Sequence, residues 1–188
     1  MKGKLIIFSA PSGSGKTTIV RQLLGVLPEL EFSISATSRQ PRGTEQNGVD
    51  YFFLTQEEFR RRVAAGEFVE WEEVYNGTCY GTLKSEMQRI WAKGNVIIFD
   101  VDVMGGINLK RIFGESACSI FIKAPSIEAL RERLIGRGTD SMETIEKRIA
   151  KAEFELSKAP EFDHVVVNDD LAVAVADTKR IINDFLAL

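Results

Sequence analysis

The sequence predicts an α/β protein, a parallel sheet covered by helices on both faces. Two observations carry this. Short apolar runs at residues 5–9, 95–101, 116–123 and 164–167 are continuous rather than alternating, the mark of strands buried on both faces. Longer stretches with helical spacing separate them, which makes a parallel sheet the economical arrangement. A length of 188 residues corresponds to about one domain.

Taken in order, residues 5–9 form the first buried strand, ended by Ala10-Pro11-Ser12-Gly13-Ser14-Gly15. Residues 16–27 carry an amphipathic helical pattern closed by Pro28. The rhythm then changes from Ser33 to Thr82. Residues 32–36, and parts of 50–54 and 68–74, alternate with period two, as short, half-exposed antiparallel strands do. Thr55-Gln56-Glu57-Glu58 is a capping-box sequence opening a short helix to Ala65, which Gly66 ends. This stretch reads as a small mixed α/β insertion in the main sheet rather than a linked second domain. Residues 95–101, 116–123 and 164–167 supply the remaining buried strands, with helical patterns at 106–113, 126–135, 141–159 and 171–188.

Composition bounds the function. Hydrophobic residues make up 44% and charged residues 27%, which excludes wholesale disorder and fibrous classes. A net charge of −3 argues against a nucleic-acid or membrane-surface binder. Two cysteines, Cys79 and Cys118, without a CxxC pair, and one histidine, His164, leave no disulfide framework and no Cys/His metal cluster. No apolar run approaches the ~20 residues of a membrane span, and no signal-type segment follows Met1. The expectation is a cytoplasmic protein with reduced thiols.

Ala10-Pro11-Ser12-Gly13-Ser14-Gly15-Lys16-Thr17-Thr18 matches G-x-x-x-x-G-K-[ST] except at its first position, where Ala10 replaces Gly. It lies between a buried strand and an amphipathic helix, the context that motif requires. Gly13 and Gly15 permit a tight loop whose N–H groups converge on phosphate oxygens. Lys16 adds a charge for the β/γ phosphates, Thr17 a hydroxyl for Mg²⁺, and the helix N-terminus favours the anion. Asp100 ends the run 96–99 at the carboxyl end of a strand, where it could hold a Mg²⁺-bound water. Asp102, two residues on, is placed to face the same side. The loop alone leaves kinases, GTPases and motors open, although no Asn-Lys-x-Asp run occurs.

Further blocks follow in order: Ser35-Ala36-Thr37-Ser38-Arg39-Gln40-Pro41-Arg42, Asn47-Gly48-Val49-Asp50-Tyr51-Phe52-Phe53, Phe68-Val69-Glu70-Trp71, Tyr80-Gly81-Thr82, Gly136-Arg137-Gly138-Thr139 and Val167-Asn168-Asp169-Asp170. With the phosphate loop, and over residues 3–186, the sequence closely resembles the guanylate kinase family of P-loop nucleoside monophosphate kinases. The resemblance implies phosphoryl transfer from Mg-ATP to GMP, giving ADP and GDP. It also implies a core (3–33 and 86–186), a GMP-binding insertion (34–85) and a short lid (136–146).

Residue roles implied by the resemblance follow position by position. Arg39, Arg42, Tyr51 and Tyr80 would bind the GMP phosphate. Ser35, Glu70, Thr82 and Asp102 would surround guanine. Arg133, Arg137 and Arg148 would reach the transferring phosphates, and Asn168 would lie near the ATP base. The residue types suit this chemistry: guanidinium forks grip phosphate bidentately, and one carboxylate can accept both N1–H and N2–H₂ of guanine. Met104 stands where many members carry Gln. The resemblance leaves open dGMP as an acceptor and a homo-oligomeric state, and it implies no nucleic-acid or membrane partner.

Two rivals remain at this stage. One is an interaction module of the same fold that has lost turnover, against which the intact Gly15-Lys16-Thr17 weighs. The other phosphorylates a different phosphorylated acceptor, such as a ribose bisphosphate, against which Glu70 and Asp102 weigh.

Overall fold

The computed structural model describes residues 3–75, 77–136, 138 and 141–187. In chain order the elements begin β1 (Leu5–Ser9), α1 (Lys16–Val26), β2 (Leu30–Phe32), β3 (Ala36–Thr37), β4 (Phe52–Phe53) and α2 (Gln56–Ala64). There follow β5 (Phe68–Tyr75), β6 (Thr78–Leu83), α3 (Lys84–Ala92), β7 (Val96–Asp100) and α4 (Val103–Phe113). The chain closes with β8 (Ala117–Lys123), α5 (Ile127–Gly136), α6 (Met142–Ser157), β9 (His164–Val167) and α7 (Leu171–Ala187). Contacts divide it into two compact units, Met1–Leu30 with Ile98–Leu188, and Glu31–Ile97.

The larger sheet has the order β2-β7-β1-β8-β9, and β8 pairs in parallel with both β1 and β9. All five residues of β1 are buried, as are the first six of β8. Successive strand residues point to opposite faces, so these strands are covered on both sides, as their unbroken apolar runs predict. In the first unit α4 packs on β1 and β8, α7 on β9 and α1, and α5 on α6. Leu130, Leu134, Ile145 and Ile149 form the α5–α6 seam.

Several helix starts are set by side-chain caps. Ser141 Oγ accepts the Thr144 N–H at the start of α6, and Asp102 Oδ1 accepts the Gly105 N–H (2.8 Å) at the start of α4. Each such cap adds about 1 kcal/mol. The Asp102 cap corrects the sequence expectation of a helix over 106–113, because α4 starts three residues earlier. Gly105 and Gly106 lower helix propensity there and obscure the start.

The second unit holds the sheet β4-β3-β6-β5. Its pairings are antiparallel except β3–β4, which is parallel, so the expectation of antiparallel strands alone is corrected. The continuous strand expected over 32–36 is also interrupted. In the gap between β2 and β3 the Ile34 N–H donates to Glu86 Oε1 (3.1 Å), a side-chain partner in place of a strand. Glu86 belongs to α3, a helix the sequence pattern does not announce; its buried face of Glu86, Met87 and Ile90 includes a carboxylate and so reads as polar. The unit's core gathers Ala36, Phe59, Phe68, Cys79 and Leu83, with the Phe59 and Phe68 rings stacked at 4.5 Å. The α2 start matches its capping-box prediction, Thr55 Oγ1 accepting the Glu58 N–H (3.1 Å).

Candidate active site

The first unit's site is built at the carboxyl end of β1. The chain leaves the strand at Ser9 and turns through a loop where Gly13 (φ 95°) and Gly15 (φ 89°) hold the left-handed backbone that glycine favours. Space demands glycine as well. A Cβ on Gly13 would press on Leu130 and Leu134, and one on Gly15 would collide with the Asn168 side chain. The Ser14 N–H donates to Pro11 O (3.1 Å), tightening the turn.

Residues distant in sequence lock the loop. Asn168 is buried, and its Nδ2 donates to Ser14 O (2.8 Å). Arg133 Nη2 donates to Asn168 O (2.8 Å), and Arg148 Nη1 donates to Ser12 Oγ (2.9 Å). Three residues that the resemblance places near ATP are thus all joined to the loop, Asn168 and Arg148 directly and Arg133 through Asn168. Arg137, the remaining one, lies outside the described residues, as do residues 139 and 140 of the expected lid.

Gly15 begins α1 with no side-chain cap, and no acidic residue occupies the first turn. Its leading N–H groups and positive dipole end are therefore free of an internal carboxylate. Lys16, at this end, forms an ion pair with Asp100 and donates to Val101 O (3.0 Å). Thr17 and Thr18 are exposed. Asp102 Oδ1 is engaged in capping α4, while its carbonyl accepts from Ser9 Oγ (3.1 Å).

Two cavities flank the loop. One, of 380 Å³, is lined by residues 10–18 together with Asp100, Val101, Asp102, Lys151 and Glu155. The other, of 310 Å³, is lined by Gly13, Gly15, Thr18, Arg133, Asn168, Asp169 and Leu171. Arg133 Nη1 and Ser14 Oγ are buried without a hydrogen-bond partner. An unpartnered buried donor is costly, so a guanidinium N–H at this wall is suited to an incoming acceptor. Lys151 and Glu155 are not among the residues the sequence singles out. Their spacing of three and seven from Arg148, on one helical face, is the signal that would have found them.

The second unit gathers another set. Along β6, Cys79 and Leu83 face the core described above, so Tyr80 and Thr82 share the opposite face. Tyr80 OH accepts from Arg39 Nε (3.1 Å). The Arg39 guanidinium lies over the rings of Tyr51 (4.9 Å) and Phe53 (5.5 Å). Its remaining edge grips Glu45 through two bonds of 2.6 and 2.7 Å. The Arg42 backbone N–H also donates to Glu45 (2.7 Å), and the Arg42 side chain is exposed.

Glu45 is another site residue that the sequence motifs do not mark. Its position three residues after Arg42 and six after Arg39, in a loop with little apolar character, is the available signal. The Arg39 bonds, followed by the Arg42 N–H, hold the Glu45 carboxyl at about 2, and Glu45 in turn raises Arg39. Burial raises the Tyr51 phenol. Across the β5–β6 ladder Glu70 faces Thr82, and Thr82 Oγ1 donates to Glu70 Oε1 (2.7 Å). Ser35 stands beside β4, its carbonyl accepting the Phe52 N–H (2.9 Å).

Comparison with known proteins gives a consistent result. The family model described as guanylate kinase matches residues 2–185. The guanylate kinase of Bacteroides thetaiotaomicron is 60% identical over 186 residues, which cover 99% of this chain and 91% of that protein. That of Porphyromonas gingivalis is 56% identical over 185 residues, 98% of each chain. Among solved structures, guanylate kinase from Anaplasma phagocytophilum superimposes with a TM-score of 0.75 at 30% identity, covering 97% of this chain and 85% of that one.

Proposed function

The chain belongs to the guanylate kinase family, and on that premise we propose that it transfers the γ-phosphoryl group of ATP to GMP, yielding ADP and GDP. The observation that carries the proposal is the start of α1: an uncapped helix end behind a glycine loop too tight for side chains, with Lys16 beside it. Phosphate is the ligand such an end favours.

Thr17 and Asp100 offer hard oxygen donors at this end, few enough to suit a Mg²⁺ that arrives with the triphosphate and keeps several waters. Held by these two residues, the ion would supply positive charge to offset that of the phosphates. The protein's own part is positioning. Backbone N–H groups from Ser12 to Thr18 cradle the phosphates, in the cavity that Ala10 and Pro11 help to line. Lys16, paired with Asp100 in the structure, would turn to the β/γ oxygens, and Asp100 would then be available to help hold the metal. Arg133 Nη1 supplies a donor without needing to break an existing bond, and Arg148 approaches from the Ser12 side. Arg137 would add a third arginine from the lid, 136–146. Asn168, by fixing Ser14, stands at the wall where the ATP base would lie.

The acceptor nucleotide would be read by the second unit, around the insertion 34–85. Arg39, already bidentate on a carboxylate, has the fork geometry that phosphate requires. Tyr51, Tyr80 and Arg42 complete the phosphate set. Glu70, oriented by Thr82, accepts the paired N–H donors of guanine, with Ser35 as a further polar group of the insertion. Adenine lacks that donor pair, so Glu70 would be left poorly matched by AMP. No strong base is needed, because the attacking atom is already a phosphate oxygen. Among the described residues no helix is long and apolar enough to cross a membrane, and the cytoplasm, where both nucleotides are found, is the proposed location.

A coupled assay with ATP and either GMP, dGMP, AMP or a sugar phosphate tests the reading. GMP should be phosphorylated well above AMP and the sugar phosphate. Lys16→Ala should abolish GDP formation while leaving the circular-dichroism spectrum intact. Equal turnover of AMP, or full turnover by Lys16→Ala, would refute it.

A further inference from the structure

Helix α6 turns one face toward the phosphate loop. Arg148 touches Ser12, and Lys151 and Glu155, three and seven residues further on, line the 380 Å³ cavity with the loop itself. Positions at that spacing stack on one side of a helix. These two residues are unequally exposed: the Glu155 side chain is 10% exposed and that of Lys151 70%, with Lys151 Nζ 3.6 Å from Glu155 Oε1. A carboxylate is therefore fixed in the wall, and a flexible ammonium is tethered to it at the solvent side.

We propose that Lys151 is a further cation contacting the ATP phosphates, and that Glu155 is the positioning residue holding its ammonium at the cavity. The inference rests on reading this cavity as the triphosphate site. Three features favour it. An ammonium has three donors, so Lys151 can keep one on Glu155 while offering others to a phosphate oxygen. The tether restrains a flexible four-carbon stem that would otherwise lose more rotamer entropy on binding. Glu155 also has little reason to be buried as a free carboxylate beside an anion site, since burial pushes its carboxyl upward while Lys151 acts against that rise. A bridging lysine offsets the negative charge of the carboxylate and so lessens its repulsion of the phosphates.

The test is steady-state kinetics of the full chain, with ATP and GMP varied separately, for Lys151→Met, Lys151→Arg, Glu155→Gln and the double variant Lys151→Met/Glu155→Gln. Lys147→Met is the control, a lysine on the same helix that is 74% exposed and paired with Glu143. Lys151→Met should raise KM for ATP about fivefold at low salt, with KM for GMP and kcat within about twofold. The difference should shrink as added salt screens the contact, and Lys151→Arg should restore it. Glu155→Gln should move KM for ATP in the same direction, and the double variant should be no worse than Lys151→Met, because positioning acts only through the lysine.

Should Glu155→Gln melt at low temperature, Lys151→Met alone still decides the matter, and calorimetric titration with ATP reads the same contact without turnover. An unchanged KM and Kd for ATP in Lys151→Met, or an equal rise in Lys147→Met, would overturn the assignment; additive effects in the double variant would overturn the role of Glu155. If the parent chain failed to phosphorylate GMP, the kinase reading would fall, while the ATP titration would still report on Lys151.

Discussion

Two glycine-to-alanine changes at the ends of α1 should have opposite effects on stability. Gly15 sits at φ 89°, and a Cβ there would collide with Asn168 Nδ2. Left-handed backbone costs a non-glycine residue about 1–2 kcal/mol. Displacing Asn168 also breaks its bond to Ser14 O, a further loss of about 1 kcal/mol. The combined destabilisation is about 2–3 kcal/mol, and at this chain length it lowers Tm by about 5–10 °C. Gly25 lies in the same helix, exposed, and a methyl group there would meet nothing within 4 Å beyond its chain neighbours and the helix's own backbone. Alanine there should stabilise by about 0.5 kcal/mol through its helix propensity, raising Tm by about 1–2 °C. Thermal melts followed by circular dichroism measure both, and calorimetry with ATP should find binding lost in Gly15→Ala and kept in Gly25→Ala. A Gly15→Ala protein that melts at or above the parent temperature would refute the argument that strain and space reserve this position for glycine.

Other outcomes follow from the same geometry. Glu70→Gln should lower kcat/KM for GMP by about 10–100-fold, the worth of a charge-assisted hydrogen bond, with little change in Tm; equal kcat/KM in parent and variant would contradict the role of Glu70. Burial alone would raise the Glu31 carboxyl, but bonds from Lys93, Asn95 and Arg89 outweigh it and hold the group at about 2. With the folded value below the unfolded one, this stabilisation is complete above the ordinary 4.5 and disappears as pH falls toward about 2. Glu31→Gln should therefore flatten the fall of the urea midpoint over that interval, and an unchanged slope would count against the assignment. Burial, reinforced by Asp163, pushes the Cys118 thiol up to about 12; at about pH 8 it should react with a disulfide reagent only after urea unfolds the chain, whereas rapid labelling of the native protein would disprove its burial.

The sequence reveals most where an element's character is local. The phosphate loop is one contiguous motif between a strand and a helix, and the strands of the central sheet are marked by unbroken apolar runs, so both can be read directly. Longer-range choices are hidden. Glu86 diverts the Ile34 N–H from 52 positions away, and no pattern within residues 32–36 reveals that the alternation is cut. The α3 helix has a mixed face because the same glutamate is buried among Met87 and Ile90. Asp102 attracts notice for its carboxylate, yet its nearest task is structural, starting α4 before two glycines. Glu45, Lys151 and Glu155 belong to no motif of their own. They enter their sites by spacing relative to Arg39 and Arg148, which becomes meaningful once the loop and the helix have been placed.

The fastening of Ser14 by Asn168 spans 154 positions, and this dictates when the cradle can be completed during synthesis. A ribosome makes the phosphate loop well before the clamp, which follows only after β8 has formed and β9 can align beside it. Until then the loop glycines rely on the short Pro11–Ser14 turn and the Arg148 bond to Ser12, too little to offset their chain entropy. Nascent chains should consequently ignore nucleotide until β9 and Asn168 have emerged, so that the pocket becomes competent no earlier than its most distant clamp.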